Sequence, residues 1–317
     1  MEESEHGNPI YGRKVFFLNP PYSIKKTVLG RLQEMEYEIY IIDDYHDAKN
    51  ILRHFPDSIC FINVDERLTP EAWFNFVTSF DTDKSLKSIF LGIITESLRK
   101  ADRDQFLLKA NIPAGLIPLN GKIDDITNTL RGILEINGAK GRRQYIRAQC
   151  ASDKNAIMYY TVGDKLYQMK LIDISSVGMV AILPFQFRTL VQPNSVMRNI
   201  TISLNNKNIV LNAAVYGIKK NAQFLMLVLF FIKGTPASVK TSIREYIFKF
   251  LDANMISSII GEAIDSTDYN IKPVAKVEDA DDAFLLDIDS TELLDETVHI
   301  PPVYDGSTKD LTVTDLF

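Results

Sequence analysis

The chain has 317 residues, 46% hydrophobic and 24% charged, with a net charge of −6, which is enough for about two domains with cores of their own. Its longest apolar run, residues 224–232, is far short of the ~20 residues of a membrane-spanning helix. The start of the chain is polar and acidic, so neither membrane insertion nor a secretory signal is expected. Two cysteines, Cys60 and Cys150, make no disulfide framework, and four scattered histidines form no Cys/His cluster. A reducing cytoplasm, no metal and no cofactor are the expectation.

Division of the charge is more informative than its total. Residues 1–139 carry 16 Lys+Arg against 21 Asp+Glu, residues 140–261 carry 16 against 5, and residues 262–317 carry 3 against 15. A middle segment of +11 between two acidic ones predicts an anionic ligand for the middle, and a tail able to compete for it.

The first segment alternates strand and helix signals. "KVFFLN" (14–19) reads as a strand, and Ile24, Val28, Leu32 and Met35 follow at helical spacing. "EIYIID" (38–43) predicts a second strand, residues 45–54 a helix, and "SICFINV" (58–64) a third strand, apolar on both faces as in a covered parallel sheet. Thr69-Pro70-Glu71 reads as an N-cap with proline at the first helical position, so residues 70–80 should be helical. Strand signals at 88–95 and 114–119 alternate with helical ones at 97–110 and 123–136. Five strands alternating with five helices predict a doubly wound parallel α/β domain over 1–136.

That pattern resembles the receiver domain of two-component regulators. The receiver's chemistry is largely missing, since Asn19-Pro20 stands where an acidic pair would follow strand one. Asp65 falls past the expected phosphoacceptor register, and Asn120-Gly121 stands where a lysine would follow strand five, while Thr95 takes the place of the switch hydroxyl. The expectation is a receiver-like shell without phosphotransfer, used for interaction or for homodimerisation, and no enzyme.

A glycine-flanked linker is expected over 137–142, mobile without ligand, and from 141 to 261 the period changes. "AIMYYTV" (156–162) and "LYQMKLID" (166–173) flank a hairpin signal at Gly163-Asp164-Lys165. "NITISLN" (199–205), "IVLNAAVYG" (209–217) and "QFLMLVLFF" (223–231) continue the alternation, which predicts a small antiparallel barrel. Val239, Ile243, Tyr246, Ile247 and Phe250 recur as one helical face that should close it. Residues 262–317 are acidic and aperiodic and are expected to be disordered, with apolar islands at 284–294 and in the final "DLF".

One question remains, why "GRRQYIR" (141–147) sets three arginines within six positions. On a strand, Arg143 and Arg147 would share a face, and so would Asp173 and Ser175 in "DISSVGM". Arg-x-x-x-Arg followed by Asp-x-Ser-x-x-Gly, ending at Gly178, resembles the two signatures of the PilZ domain, and the likeness covers 141–251. The resemblance implies cyclic di-GMP as ligand and a protein partner in motility or export machinery. It implies Arg143 and Arg147 as forks on guanine N7 and O6, Arg142 as a phosphate contact with Lys140 a weaker one, and Asp173 as acceptor from guanine N1–H and N2–H2. Ser175 would meet a polar ligand edge or the turn, and Gly178 would allow a close approach or a positive φ. Three other readings stand beside this one: a phosphorylatable response regulator, a nucleotide-independent docking module, and a nucleic-acid binder. The last is disfavoured because no aromatic RNA-binding motif accompanies the arginines.

Overall fold

Residues 12–220 and 223–265 are described in the computed structural model. The tail expected from 262 lies outside them, islands included, apart from four residues that continue the last helix. Among the described residues the chain forms two compact units, one of residues 12–144 and 254–265 and the other of residues 145–253.

The first unit is built on five strands: β1 (Val15–Leu18), β2 (Ile39–Ile42), β3 (Ile59–Asn63), β4 (Phe90–Thr95) and β5 (Leu116–Pro118). All pair in parallel in the order β2-β1-β3-β4-β5, the doubly wound order expected. Helices on both faces explain why β1 and β3 are buried at every position. Between the strands run α3 (Tyr45–Arg53), α4 (Pro70–Thr82) and α5 (Lys100–Lys109), and α6 (Ile123–Ile136) follows β5. Thr69 caps α4, its hydroxyl accepting from the Ala72 N–H at 3.2 Å. The helix expected after β1 is broken into α1 (Tyr22–Ile24), a π-helical turn (Lys25–Leu29) and α2 (Gly30–Glu34). The wider turn still delivers Ile24, Val28, Leu29 and Leu32 to the core.

Residues 137–141, expected as mobile linker, are packed on this unit instead. The Arg13 N–H donates to the Gly138 carbonyl at 2.9 Å, Ala139 is buried, and Lys140 lies over the Tyr37 ring at 4.6 Å. Gly12, at φ +76°, leaves no room for a side chain, since a Cβ there would sit 2.5 Å from the Gly141 nitrogen.

The second unit is a closed antiparallel barrel. Its strands are β6 (Arg147–Gln149), β7 (Ile157–Val162), β8 (Lys165–Ser175), β9 (Gly178–Pro184), β10 (Val196–Leu204), β11 (Lys207–Lys220) and β12 (Phe224–Phe231). Six of them close in the order β8-β7-β10-β11-β12-β9, with β9 returning to β8, and β6 adds to the end of β8. Closure leaves these six without an open edge. The hairpin sits where the sequence placed it, with Val162 opposite Lys165 and Gly163 at φ +59°. Inward residues alternate along each strand, among them Met158, Leu171, Ala181, Ile202, Leu211 and Leu227. Helix α7 (Ala237–Asp265) lays Ile243, Tyr246 and Ile247 into this core, with Val239 and Phe250 partly buried beside them. Strand β9 and the 3-10 turn Phe185–Leu190 were not foreseen from the sequence.

Candidate functional site

Short strand β6 positions the first candidate. Arg147 pairs with Ser175 and Gln149 with Asp173. Because side chains alternate, Ala148 and Ile174 enter the core while Arg147, Ser175 and Asp173 share the opposite face. The register of β8 makes this arrangement possible. Met169 and Leu171 point inward, and uninterrupted alternation would send Asp173 after them. Instead β8 gains one residue against β9 between Leu171 and Asp173, so that Ile174 takes the inward position and the carboxylate turns out.

Arg147 Nη1 then lies 3.5 Å from Asp173 Oδ2, with about a fifth of each side chain exposed. At that separation the pair is an ion pair rather than a close hydrogen bond. A planar fork of N–H donors and a carboxylate thus stand side by side in a partly dehydrated setting, where charged contacts count for more than in open water.

Ser175 and Gly178 serve the turn that joins β8 to β9. The Ser175 hydroxyl donates to the Gly178 carbonyl at 3.1 Å and accepts from the Gly178 and Val177 amides at 3.2 and 3.4 Å. Gly178 does not adopt a positive φ. Its need is space, because a Cβ would come 2.6 Å from the Leu229 carbonyl oxygen on β12. Of the two roles open to Ser175, the turn is the one its hydrogen bonds fill.

Arg143 corrects a premise of the sequence reading. It precedes β6 and is not on a strand, so even spacing does not set its face relative to Arg147. Arg142 is exposed and Arg143 half-buried, and both belong to the segment before the changeover at Gln144–Tyr145. Lys140 is held against Tyr37 in the first unit.

Behind the Arg147–Asp173 pair, the chain leaves β6 at Cys150 and turns, the Asp153 N–H donating to the Cys150 carbonyl at 3.0 Å. The Tyr246 hydroxyl of α7 donates to Asp153 Oδ2 at 2.9 Å. Burial pushes the Cys150 thiol up to about 12 and raises the Tyr246 phenol well above its usual value, with the neighbouring carboxylate and thiol adding to the latter. Sequence reasoning saw Tyr246 only as an apolar face residue and missed this polar end.

In the first unit, the receiver-like positions are occupied as follows. Asn63 Nδ2 donates to the Asn19 carbonyl at 2.9 Å, and Asp65 accepts from the Thr95 hydroxyl at 2.5 Å. Among the described residues no three His, Cys, Asp or Glu side chains come together as a metal-holding group, and no helix is long and apolar enough to cross a membrane.

No protein-family model matches the chain, and no curated protein matches it. In architecture the chain is a receiver-like sheet followed by a PilZ-like barrel. Among solved structures it is similar to the PilZ domain with c-di-GMP of YcgR from Escherichia coli, at 16% identity and a TM-score of 0.30 over 40% of this chain and 99% of that one. It is also similar to the MrkH–c-di-GMP complex of K. pneumonia, at 13% identity and a TM-score of 0.29, covering 39% of this chain and 55% of that one. The chemotaxis response regulator CheY4 of Vibrio cholerae matches at 18% identity and a TM-score of 0.31, over 38% of this chain and 98% of that one. The chain thus spans only about half of the MrkH structure.

Proposed function

We propose that this chain is a cyclic di-GMP receptor that acts as an effector through a protein partner, without catalysing a reaction. The observation that carries the reading is the pairing of Arg147 with Asp173 on one face, in the two sequence patterns that resemble the PilZ signatures. Guanine offers N7 and O6 acceptors on one edge, which a guanidinium fork meets with two hydrogen bonds, and N1–H and N2–H2 donors on another, which a carboxylate meets. Adenine lacks that donor pair, so the combination selects guanine.

Arg147 and Asp173 are the base-reading pair in this proposal. Arg142 and Arg143 follow the packed residues 137–141 directly, and they are the arms that engage the phosphates and the second guanine. Ser175 and Gly178 act indirectly, by fixing the turn at the end of the strand that carries Asp173. The contacts made only with ligand bound supply the differential free energy that any ligand-driven rearrangement requires. That rearrangement reorients the receiver-like unit toward a partner in motility or export machinery, in the cytoplasm.

Titration calorimetry of the full chain with cyclic di-GMP tests the reading. Binding is expected, with cyclic di-AMP silent. Arg147→Ala should lower affinity about fivefold or more, in line with the ~1–3 kcal/mol carried by a bidentate base contact, while its circular dichroism spectrum stays that of the parent. Equal affinity in parent and variant would remove the assignment.

A further inference from the structure

A second anion-binding arrangement lies in the first unit, at the carboxyl ends of β3 and β4, and it is already filled from within. Asp65 stands two residues past the end of β3. Its carboxylate accepts from the Thr95 hydroxyl at 2.5 Å, the Glu96 N–H at 2.6 Å, the Ser97 N–H at 3.2 Å and the Ser97 hydroxyl at 3.1 Å. Thr95 is buried, and its oxygen also accepts from the Leu98 N–H at 3.0 Å. Two consecutive amides and two hydroxyls aimed at one point are the donor set of a small oxyanion. The carboxyl edge of an open parallel sheet is also where such folds hold their ligands. Asn63 fixes the approach of the carboxylate, its side-chain oxygen accepting from the Asp65 N–H at 3.3 Å while its amide donates to the Asn19 carbonyl. The carboxylate therefore arrives tethered, at no cost of association.

We infer that Asp65 is the internal anion of this nest, and that it holds the β4–α5 loop in its anion-filled form without any external ligand or phosphoryl donor. Free phosphate must displace a carboxylate that its own chain already seats with four hydrogen bonds. The loop is therefore insensitive to phosphate until Asp65 is removed. This also accounts for α5 starting at Lys100, later than the helical signal at 97, since residues 96–97 are drawn onto the carboxylate.

Amide hydrogen exchange on the full chain, with and without 20 mM inorganic phosphate, tests the inference. In the parent, the Glu96 and Ser97 amides should exchange slowly and ignore phosphate. In Asp65→Ala they should exchange about tenfold faster or more, as expected when a charged acceptor is withdrawn, and phosphate should restore their protection. Asp65→Asn, which keeps the shape and loses the charge, should show the same acceleration and guards against a folding defect in the alanine variant. Unchanged exchange in both variants would overturn the inference. So would phosphate-dependent protection in the parent, or an alanine variant that phosphate leaves unprotected.

Discussion

Ile172 decides where Asp173 points. As the extra residue of β8 it shifts the alternation by one, so that an acidic side chain emerges where strand periodicity would have buried it. The adjoining turn is as exacting. Ser175→Ala leaves the Gly178 amide without its acceptor in a buried setting, and a loss of about 1–3 kcal/mol is expected in urea unfolding. Gly178→Ala should cost a similar ~1–3 kcal/mol, because the new methyl meets the backbone of β12 rather than a yielding side chain. Were either variant as stable as the parent, the turn assignment would be wrong. The buried thiols give a pH signature of their own. Burial pushes both Cys60 and Cys150 up to about 12. In the unfolded chain a thiol titrates near ~8.5, so from that pH upward the unfolded state sheds protons that the folded state keeps. The thiols' contribution to stability should be constant below that pH and then fall by roughly 1.4 kcal/mol per pH unit per thiol as pH rises toward 12. The same shift leaves only about one thiol in ten thousand ionised at pH 8. Iodoacetamide should therefore label neither cysteine until urea unfolds the chain.

At the scale of elements, β6 has only three residues and is fixed by what adjoins it. It begins at Arg147, pairs with β8, and ends in the Cys150–Asp153 turn, which Tyr246 ties to α7. Tyr246→Phe keeps the ring in the core and removes only that tie. A loss of about 1–2 kcal/mol is expected, with faster amide exchange concentrated in residues 147–153 rather than spread through the barrel. Uniform acceleration would mean that Tyr246 acts only by packing. Much of this element plan was legible in the sequence. The bounds of α6, the proline start of α4 and the apolar face of α7 followed directly from spacing and capping residues. What escaped had physical reasons. "GMVAILP" carries a strand of its own, but it starts within a polar turn motif, and the turn signal masked it. A π-helical turn keeps apolar residues on one face and so leaves helical spacing intact. Arg143 could not be placed because its spacing to Arg147 has meaning only within a strand, and the strand begins at Arg147. For the Asp65 nest half of the donors are backbone amides, which no residue pattern announces.

The whole molecule adds a long-range field to these local contacts. Residues 140–261 carry 16 basic against 5 acidic side chains, whereas the residues after Asp265 carry 13 acidic against 3 basic. We propose that this tail screens the basic segment from an anionic ligand through mean potential rather than fixed contacts. Truncation after Asp265 leaves α7 whole and removes the screen. Association of cyclic di-GMP, followed by stopped-flow at 20 mM salt, should then speed up about tenfold, the lower end of what electrostatic steering reaches. At 0.5 M salt, where the screening length falls below about 5 Å, the two chains should associate at the same rate. If Arg147 and Asp173 hold the ligand as proposed, dissociation is set by those close contacts and should be the same in the two chains. A truncation that changed dissociation instead would mean that the tail touches the bound ligand. Equal association at low salt would mean that its charge does not reach the barrel at all.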